Sequence, residues 1–565
     1  MIILGINISG FHSSACIIID GEIKAAITEE RLTRVKSDKS FPKQSIKYCC
    51  AGAGIPLNDI TDVYIGWNPA TYMYKSDETL NDALKDRGKM AYLSLNELAS
   101  ISDPATLEIQ QEITTINSNL KIHYVNHHWA HLSNSFLSSG FETSDFFIAD
   151  GFGENTTGLI GSVNYSRIDS LSNLRTPHSL GGFYSTFTEF LGFRPNSDEW
   201  KVMALASLGN PKTYYNKVKK LIKVYDLKFE LDLSYFEHYM FFTPNYFSPK
   251  FIEKFGSPVR NLKELTQYHY DLVASVQKVV EDVSIEILNN LQGKTKNKNI
   301  VVSGGFFMNS VLNGKIIDRT NYEDIYIGGS PDDSGISIGS ALYGLIYDKK
   351  YTNQLPNIIN NYYGVAYSDS EVINELNKRK IKFKQIENIE KFVAKKLRKK
   401  NIVAWFQGKS EFGQRALGNR SILADPTHKD VKDRVNSSIK YREGFRPFAP
   451  SVLKDKQSDY FQISQNQNSY FMEKVFLFKK GLTDKLPGVV HFDGTGRLQS
   501  VCEKTNPKYY ELIKEFEKLS GYPIVLNTSF NINGMPLVET PGDALDCFYK
   551  SGIDYLVMNN IIIEK

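Results

Sequence analysis

Short apolar runs broken by Gly, Ser and Asp fill the first thirty residues and predict a three-strand meander, MIILGINI, SACIIID and EIKAAITEE. Asp20-Gly21 forms the turn between the last two, the pair expected of a two-residue hairpin. The pattern returns near residue 145 as DFFIAD, a Gly-rich turn DGFGENTTG, and LIGSVNYS. Between residues 180 and 300 the apolar period is mostly helical. It is clearest in LVASVQKVVEDVSIEILNNL (272–291), where spacings of three and four bury one face. A strand KNIVVSGG, a helix FFMNSVLNGKI and a strand–turn–helix DIYIGGSPDDSGISIGSALYGLIY follow.

Around residues 348–362 the text turns polar and aperiodic, KKYTNQLPNIINNYY. This predicts a domain over 1–350, a linker over 351–366 and a second domain over 367–565. The Lys-rich run from Asn377 to Asn401 reads as a solvated amphipathic helix flanked by a basic strand. Beyond it, short strands alternate with loops full of Arg, Asn and Gly. The class is α/β. Two hairpin units, each followed by helical segments, point to an internally duplicated first domain of the actin/hexokinase-like type.

At 565 residues, 41% hydrophobic and 23% charged, the composition is that of a soluble globular protein too long for one core. A formal charge of +4 is small for this length, so no nucleic-acid partner is expected. The five cysteines form no CxxC pair, which speaks for a reducing compartment and against a zinc ribbon. No basic segment precedes the first apolar run, and no apolar stretch nears the ~18 residues of a membrane helix. The expectation is a cytoplasmic chain without membrane contact.

Four of the ten histidines fall between residues 123 and 131. In NHHWAHLSNS a helix would set His127 and His131 one turn apart on one face, correctly spaced to share a metal ion, and would turn His128 elsewhere. Asp150, before the Gly turn, and Asp333 in SPDDSGISIG are the carboxylates to complete the set, ahead of Asp332. Two imidazoles and two carboxylates suit Fe(II), Mn(II) or Zn(II) alike. In VVSGGFFMNSVLN the Gly304-Gly305 turn lets backbone N–H groups approach a phosphate, with Asn309 and Asn313 a turn apart to line the site. His12, in GFHSSAC between the first two strands, could take a proton from an attacking hydroxyl.

The densest cluster is FQGKSEFGQRALGNRSILADP followed by NSSIKYREGFRPFAP. It sets Lys409, Arg415, Arg420, Lys440, Arg442 and Arg446 among Gly and Asn. Guanidinium forks read phosphate and carboxylate bidentately, so this stretch predicts a site for a highly anionic ligand. HFDGTGRLQSV and NTSFNINGMPLV add His491, Arg497 and Asn527 in similar loops.

Together GINISGFHSSACIIIDGEIKAAITEERLTRVK, NHHWAH, SGGFFMNSVLNGK, PDDSGISIGSAL, EFGQRALGNRSILADP, IKYREGFRPFAP and NTSFN cover nearly the whole chain. They resemble the carbamoyltransferase family that includes antibiotic and nodulation-factor O-carbamoyltransferases. The resemblance implies an N-terminal domain like the ATPase-like subunit that threonylcarbamoylates tRNA, and a C-terminal YrdC-like domain. It implies that the C-terminal domain makes carbamoyl-adenylate and pyrophosphate from carbamoyl phosphate and ATP, with Mg2+ accompanying the nucleotide. The N-terminal domain would then pass the carbamoyl group to a small-molecule hydroxyl beside a metal, usually iron.

Residue by residue, the implied metal set is His127, His131, Asp150 and Asp333, the anion set is Arg415, Lys440, Arg446 and Arg497, and the base is His12. Where the family usually reads KVMGLAPYG this chain has KVMALASLG (201–209), and Met535 stands where it often has Glu. Acceptor and local loop shape stay open. A fused tRNA-threonylcarbamoylating enzyme and a nucleotide-binding regulator without catalysis are the alternative readings.

Overall fold

Strand β1 (Ile2–Asn7) pairs antiparallel with β2 (Ser14–Ile19), and β2 with β3 (Glu22–Thr28), in a computed structural model that describes residues 1–8, 12–68, 120–240, 243–464 and 467–565. Asp20 and Gly21 turn the hairpin with φ of 50° and 87°, the left-handed pair that matches strand twist. Strands β4 (Asp62–Ile65) and β5 (Lys121–Tyr124) add in parallel, giving the order β3-β2-β1-β4-β5.

The second unit repeats this plan. Strands β6 (Thr143–Gly153), β7 (Thr156–Asn164) and β8 (Ile168–Arg175) form an antiparallel meander. A separate hairpin, β9 (Ile222–Tyr225) and β10 (Lys228–Leu231), intervenes before β11 (Asn299–Ser303) and β12 (Asp324–Tyr326) add in parallel to β6. The order is β12-β11-β6-β7-β8, the first sheet's pairing repeated strand for strand. This is the duplicated plan of the actin/hexokinase-like fold.

Two local expectations are corrected. The Gly-rich segment after Asp150 is not a broad turn: β6 runs on through Gly153 by way of a register shift between Ala149 and Gly153. The chain reverses only at Glu154, φ 48°, and Asn155. The helix expected in FFMNSVLNGKI is a 3-10 turn, Gly305–Met308, and a short helix, Ser310–Asn313.

The helices His127–Ser139 and Ile336–Tyr343 lie between the two sheets and share one core with Ile3, Ile18, Phe146 and Val301. Alternation sends Phe147, Ile300 and Val302 to the opposite face, where Leu180–Phe190 and the long helix Gln267–Thr295 cover them. The helix Ile336–Tyr343 sits at backbone distance from its neighbours because two positions lack a Cβ. A Cβ on Gly339 would clash with the Ala130 carbonyl, and one on Gly5 with the Ser337 carbonyl.

After Tyr343 a π-turn closes the helix, and residues 350–366 carry no helix or strand beyond one bridge, Tyr362 to Glu411. The C-terminal half is built on a nine-stranded mixed sheet. Its centre is Val403–Phe406, Arg420–Ala424 and Ile524–Ser529. Along Val403–Phe406, Val403 and Trp405 face the helices Ile389–Arg398 and Pro507–Ser520, while Ala404 and Phe406 face Asp369–Lys378 and Pro541–Tyr549. The Lys-rich helix buries Ile389, Val393, Ala394 and Leu397 and keeps its cations outward, as expected; of the basic strand only Lys384–Gln385 forms.

Buried polar contacts join the halves. Arg31 donates to the Gly413 carbonyl (2.6 Å) and faces Glu539 at 3.8 Å, with side-chain exposures of 3% and 0%. Tyr48 donates to the same carboxylate, and Arg34 to the Leu537 carbonyl (2.7 Å).

Replacing Gly339 by Val drives a branched side chain into the Ala130 backbone. We expect a loss of about 3 kcal/mol or more in chemical denaturation, with a wild-type-like unfolding slope.

Candidate functional site

The helix His127–Ser139 begins at the first of its paired histidines. The Glu154 carboxylate, held at the β6–β7 turn, accepts from the His127 N–H (3.0 Å) and the Asn68 N–H (2.8 Å), placing negative charge at the helix N-terminus. One turn apart, His127 and His131 bring their Nε2 atoms to 3.2 Å. Asp150 Oδ2, from β6, lies 3.3 and 2.9 Å from them. Asp333 Oδ1, from the 3-10 turn ahead of Ile336–Tyr343, lies 3.6 and 3.5 Å away. All four donor atoms fall within 4.8 Å of one another.

The electrostatics fit a cation at their centre. Burial alone would push His127 down, but Asp333 and Asp150 outweigh it and hold the imidazole well above its ordinary range. His131 is raised against burial by the same carboxylates. Burial would raise Asp333, yet the two imidazoles hold it well below the usual carboxylate range, and Asp150 is lowered by the same partners. The two carboxylates and two imidazoles thus favour positive charge between them, which is what a divalent ion would supply. Nitrogen and oxygen donors in equal number suit Fe(II), Mn(II) or Zn(II). His128 turns away, its Nδ1 2.7 Å from the Thr156 hydroxyl, and burial pushes it well below its ordinary range.

His12 lies beside this cluster. The Asn7 amide donates to the His12 carbonyl (2.7 Å) and the Asp333 carbonyl (2.8 Å), tying both to the end of β1. From the C-terminal half, the Gln414 amide donates to Asp332 Oδ2 (2.6 Å), its nitrogen 3.5 Å from His12 Nε2. Sequence reasoning missed Gln414, whose only signal within EFGQRALGNRS is its neighbour Arg415.

Five of the expected residues make other contacts. Gly304, φ 95°, lets β11 approach β6, where a Cβ would clash with the Ala149 carbonyl, and its N–H is spent on the Pro331 carbonyl (2.8 Å). Gly305 passes so close to Asp150 that a Cβ would meet Oδ1 at 2.8 Å, so the Gly-Gly turn supports the metal set. Asn309 exchanges two hydrogen bonds with Gln277 and caps Ser310–Asn313; Asn313 donates to the Phe307 and Glu473 carbonyls. Lys440, expected in the anion set, does not line the cavity where the arginines meet. Its ammonium is wrapped by the carbonyls and side-chain oxygens of Ser529 and Asn531, four acceptors for three protons.

Four of the expected cations meet at a cavity of about 490 Å3 walled by both halves; Lys409 and Arg420 do not line it, and the buried Arg420 guanidinium donates to the Gln407 and Gly408 carbonyls instead. Arg415, Arg442, Arg446 and Arg497 line it from the C-terminal half; Lys36, Trp200, Gln277 and Lys315 line it from the N-terminal half. Asn527 borders it, its amide N–H groups spent on Ala416, Ser451 and Gln499. Burial, then Arg415 and Arg442, push the Arg497 guanidinium well below its ordinary range. Burial and Arg446 bring Arg442 down to about 9. Arg415 makes no hydrogen bond to the described residues, and Arg446 and Arg497 each bury an unpartnered Nε. Repelling guanidinium groups with unused donors can pair with a polyanion. Met203, Ala204 and Ser207, from the departing stretch KVMALASLG, wall the same cavity.

Among the described residues no helix is long and apolar enough to cross a membrane. Residues 2–342 match the family described as carbamoyltransferase N-terminus, and residues 394–565 the carbamoyltransferase C-terminus. An uncharacterized protein of Synechocystis sp. is 34% identical over 100% of this chain and 96% of its own length. Nodulation protein NolNO of Sinorhizobium fredii is 32% identical, covering 98% of this chain and 79% of its own. Among solved structures, component A of the Acidaminococcus fermentans (R)-2-hydroxyglutaryl-CoA dehydratase is 12% identical with a TM-score of 0.32, covering 62% of this chain and 98% of that one.

Dialysed full-length protein should retain about one equivalent of divalent metal by elemental analysis. The His127→Ala/His131→Ala double variant should lose it and keep its circular dichroism, since removing two ligands leaves no chelate. Metal retained by that variant would mean another site.

Proposed function

We propose that this chain, which belongs to the carbamoyltransferase family, is an ATP-using O-carbamoyltransferase that forms carbamoyl-adenylate in its C-terminal half and transfers the carbamoyl group in its N-terminal half. The observation that carries this reading is the guanidinium-lined cavity shared by both halves and linked to the metal cluster through Gln414 and Asp332.

In balance, carbamoyl phosphate, ATP and one water give carbamoyl-adenylate, pyrophosphate and orthophosphate. Water first cleaves the acyl-phosphate bond of carbamoyl phosphate, releasing orthophosphate and carbamate. A carbamate oxygen then attacks the α-phosphorus, and the bond from that phosphorus to the oxygen bridging to the β-phosphate breaks, releasing pyrophosphate. Arg415, Arg442, Arg446 and Arg497 hold the phosphates and stabilise the charge that develops on them, without reorganising. The C-terminal domain is taken as YrdC-like on the strength of the family. The acceptor is a small-molecule hydroxyl. When it attacks the carbamoyl carbon, AMP leaves, and His12 takes the hydroxyl proton. A divalent metal, iron by family resemblance, would be held by His127, His131, Asp150 and Asp333 and would supply Lewis acidity there. Walls contributed by both halves would limit the contact of a hydrolysable intermediate with water.

The test is pyrophosphate release by purified protein with ATP and Mg2+, with and without carbamoyl phosphate. Release that depends on carbamoyl phosphate is expected, with AMP accumulating as the adenylate hydrolyses. Arg497→Ala should lower it by about 100- to 1000-fold at unchanged melting temperature. ADP formed regardless of carbamoyl phosphate would sink the adenylate mechanism.

A further inference from the structure

One wall of the anion cavity bears on an arginine of the other half through an aromatic ring. The helix Glu199–Ala206 belongs to the N-terminal half, and its Trp200 borders the cavity. The Arg446 guanidinium carbon lies 4.0 Å from the Trp200 ring centroid. Trp200 is itself fixed, its indole N–H donating to the Ser197 carbonyl (3.1 Å). Lys201, paired with Asp198 at 3.0 Å, lies 5.5 Å from the same ring.

Arg446 has few other restraints. It is 9% exposed, its Nε has no partner, and one terminal nitrogen reaches Glu443 at 3.2 Å. Burial pushes it below its ordinary range, while Glu443 and then Asp198, across the interface, act the other way. A guanidinium lying over an aromatic ring keeps its N–H groups in its own plane, so stacking fixes direction without consuming a donor. A carboxylate in Trp200's place would hold Arg446 equally well but would spend those donors and neutralise the site.

We propose that Trp200 is a positioning residue for the anion site, stacking on Arg446 so that its unused N–H edge is presented to the bound phosphates. The anion site of the C-terminal half is then complete only with this helix of the N-terminal half in place. The functional meaning rests on reading the cavity as the adenylate-forming site; the stacking itself does not.

The test uses the full chain and two readouts: calorimetric binding of inorganic pyrophosphate, and pyrophosphate release dependent on carbamoyl phosphate. Trp200→Leu should weaken both about five- to thirtyfold, while Trp200→Phe, which keeps a ring, stays within about threefold. Melting temperature and metal content should match wild type. In an Arg446→Met background Trp200→Leu should cost nothing more. Equal losses in the two Trp200 variants, no loss in either, no pyrophosphate binding by wild type, or an undiminished Trp200→Leu effect in the Arg446→Met background each overturn the proposal. If wild type binds pyrophosphate in a Trp200-dependent way but releases none from ATP, the adenylate reading fails and the stacking role stands.

Discussion

The close backbone packing of one helix against its neighbours decides where the N-terminal chemistry sits. The helix Ile336–Tyr343 touches β1 at Gly5 and the histidine helix at Gly339, both without an intervening side chain. Asp333 lies three residues ahead of it, so this packing sets the distance between Asp333 and the imidazoles. The Gly304-Gly305 turn does the same for Asp150 from the opposite side, bringing β11 against the end of β6. Four donor atoms from positions spread over about two hundred residues of sequence therefore meet because small residues let backbone approach backbone.

The two chemical centres are opposites. In one, carboxylates and imidazoles crowd together with more acceptors than protons to share. In the other, guanidinium groups crowd together with more donors than acceptors. The second arrangement is costly when empty, because buried charge of one sign repels itself and desolvation adds to it. It therefore favours an occupant of opposite charge. The segment Gly413–Arg415 stands between them: Gln414 faces Asp332, and Arg415 faces the cavity.

The sequence read well where local periodicity carried the answer. The meander, the Asp20-Gly21 turn, the 272–291 helix and the one-turn spacing of His127 and His131 all depend on neighbours along the chain. It read poorly where a residue's use depends on what packs over it. Lys440 and Arg446 look alike in a basic, Gly-rich stretch, yet one is enclosed by carbonyls of a distant strand and the other is held on an indole. Gly304 carried a phosphate-loop signature because conformational freedom is needed equally for binding an anion and for admitting a neighbouring strand. Trp200 had no signal of its own, since an aromatic at the start of a helix is ordinary until the arginine opposite is known. The resemblance supplied the family and the pairing of roles, but not which side chains are free to act.

The buried contact of Arg31 with Glu539 bears on how such proteins can diverge. Both groups are shut away from water at the junction of the halves, and Tyr48 and Gly413 bind into the same cluster. A half transplanted from a relative would bring one charge of this pair without its matched counterpart, and an orphaned buried ion is strongly destabilising. The two halves are therefore poor candidates for modular shuffling. Attempts to build hybrids would need to move the whole junction as one inherited block.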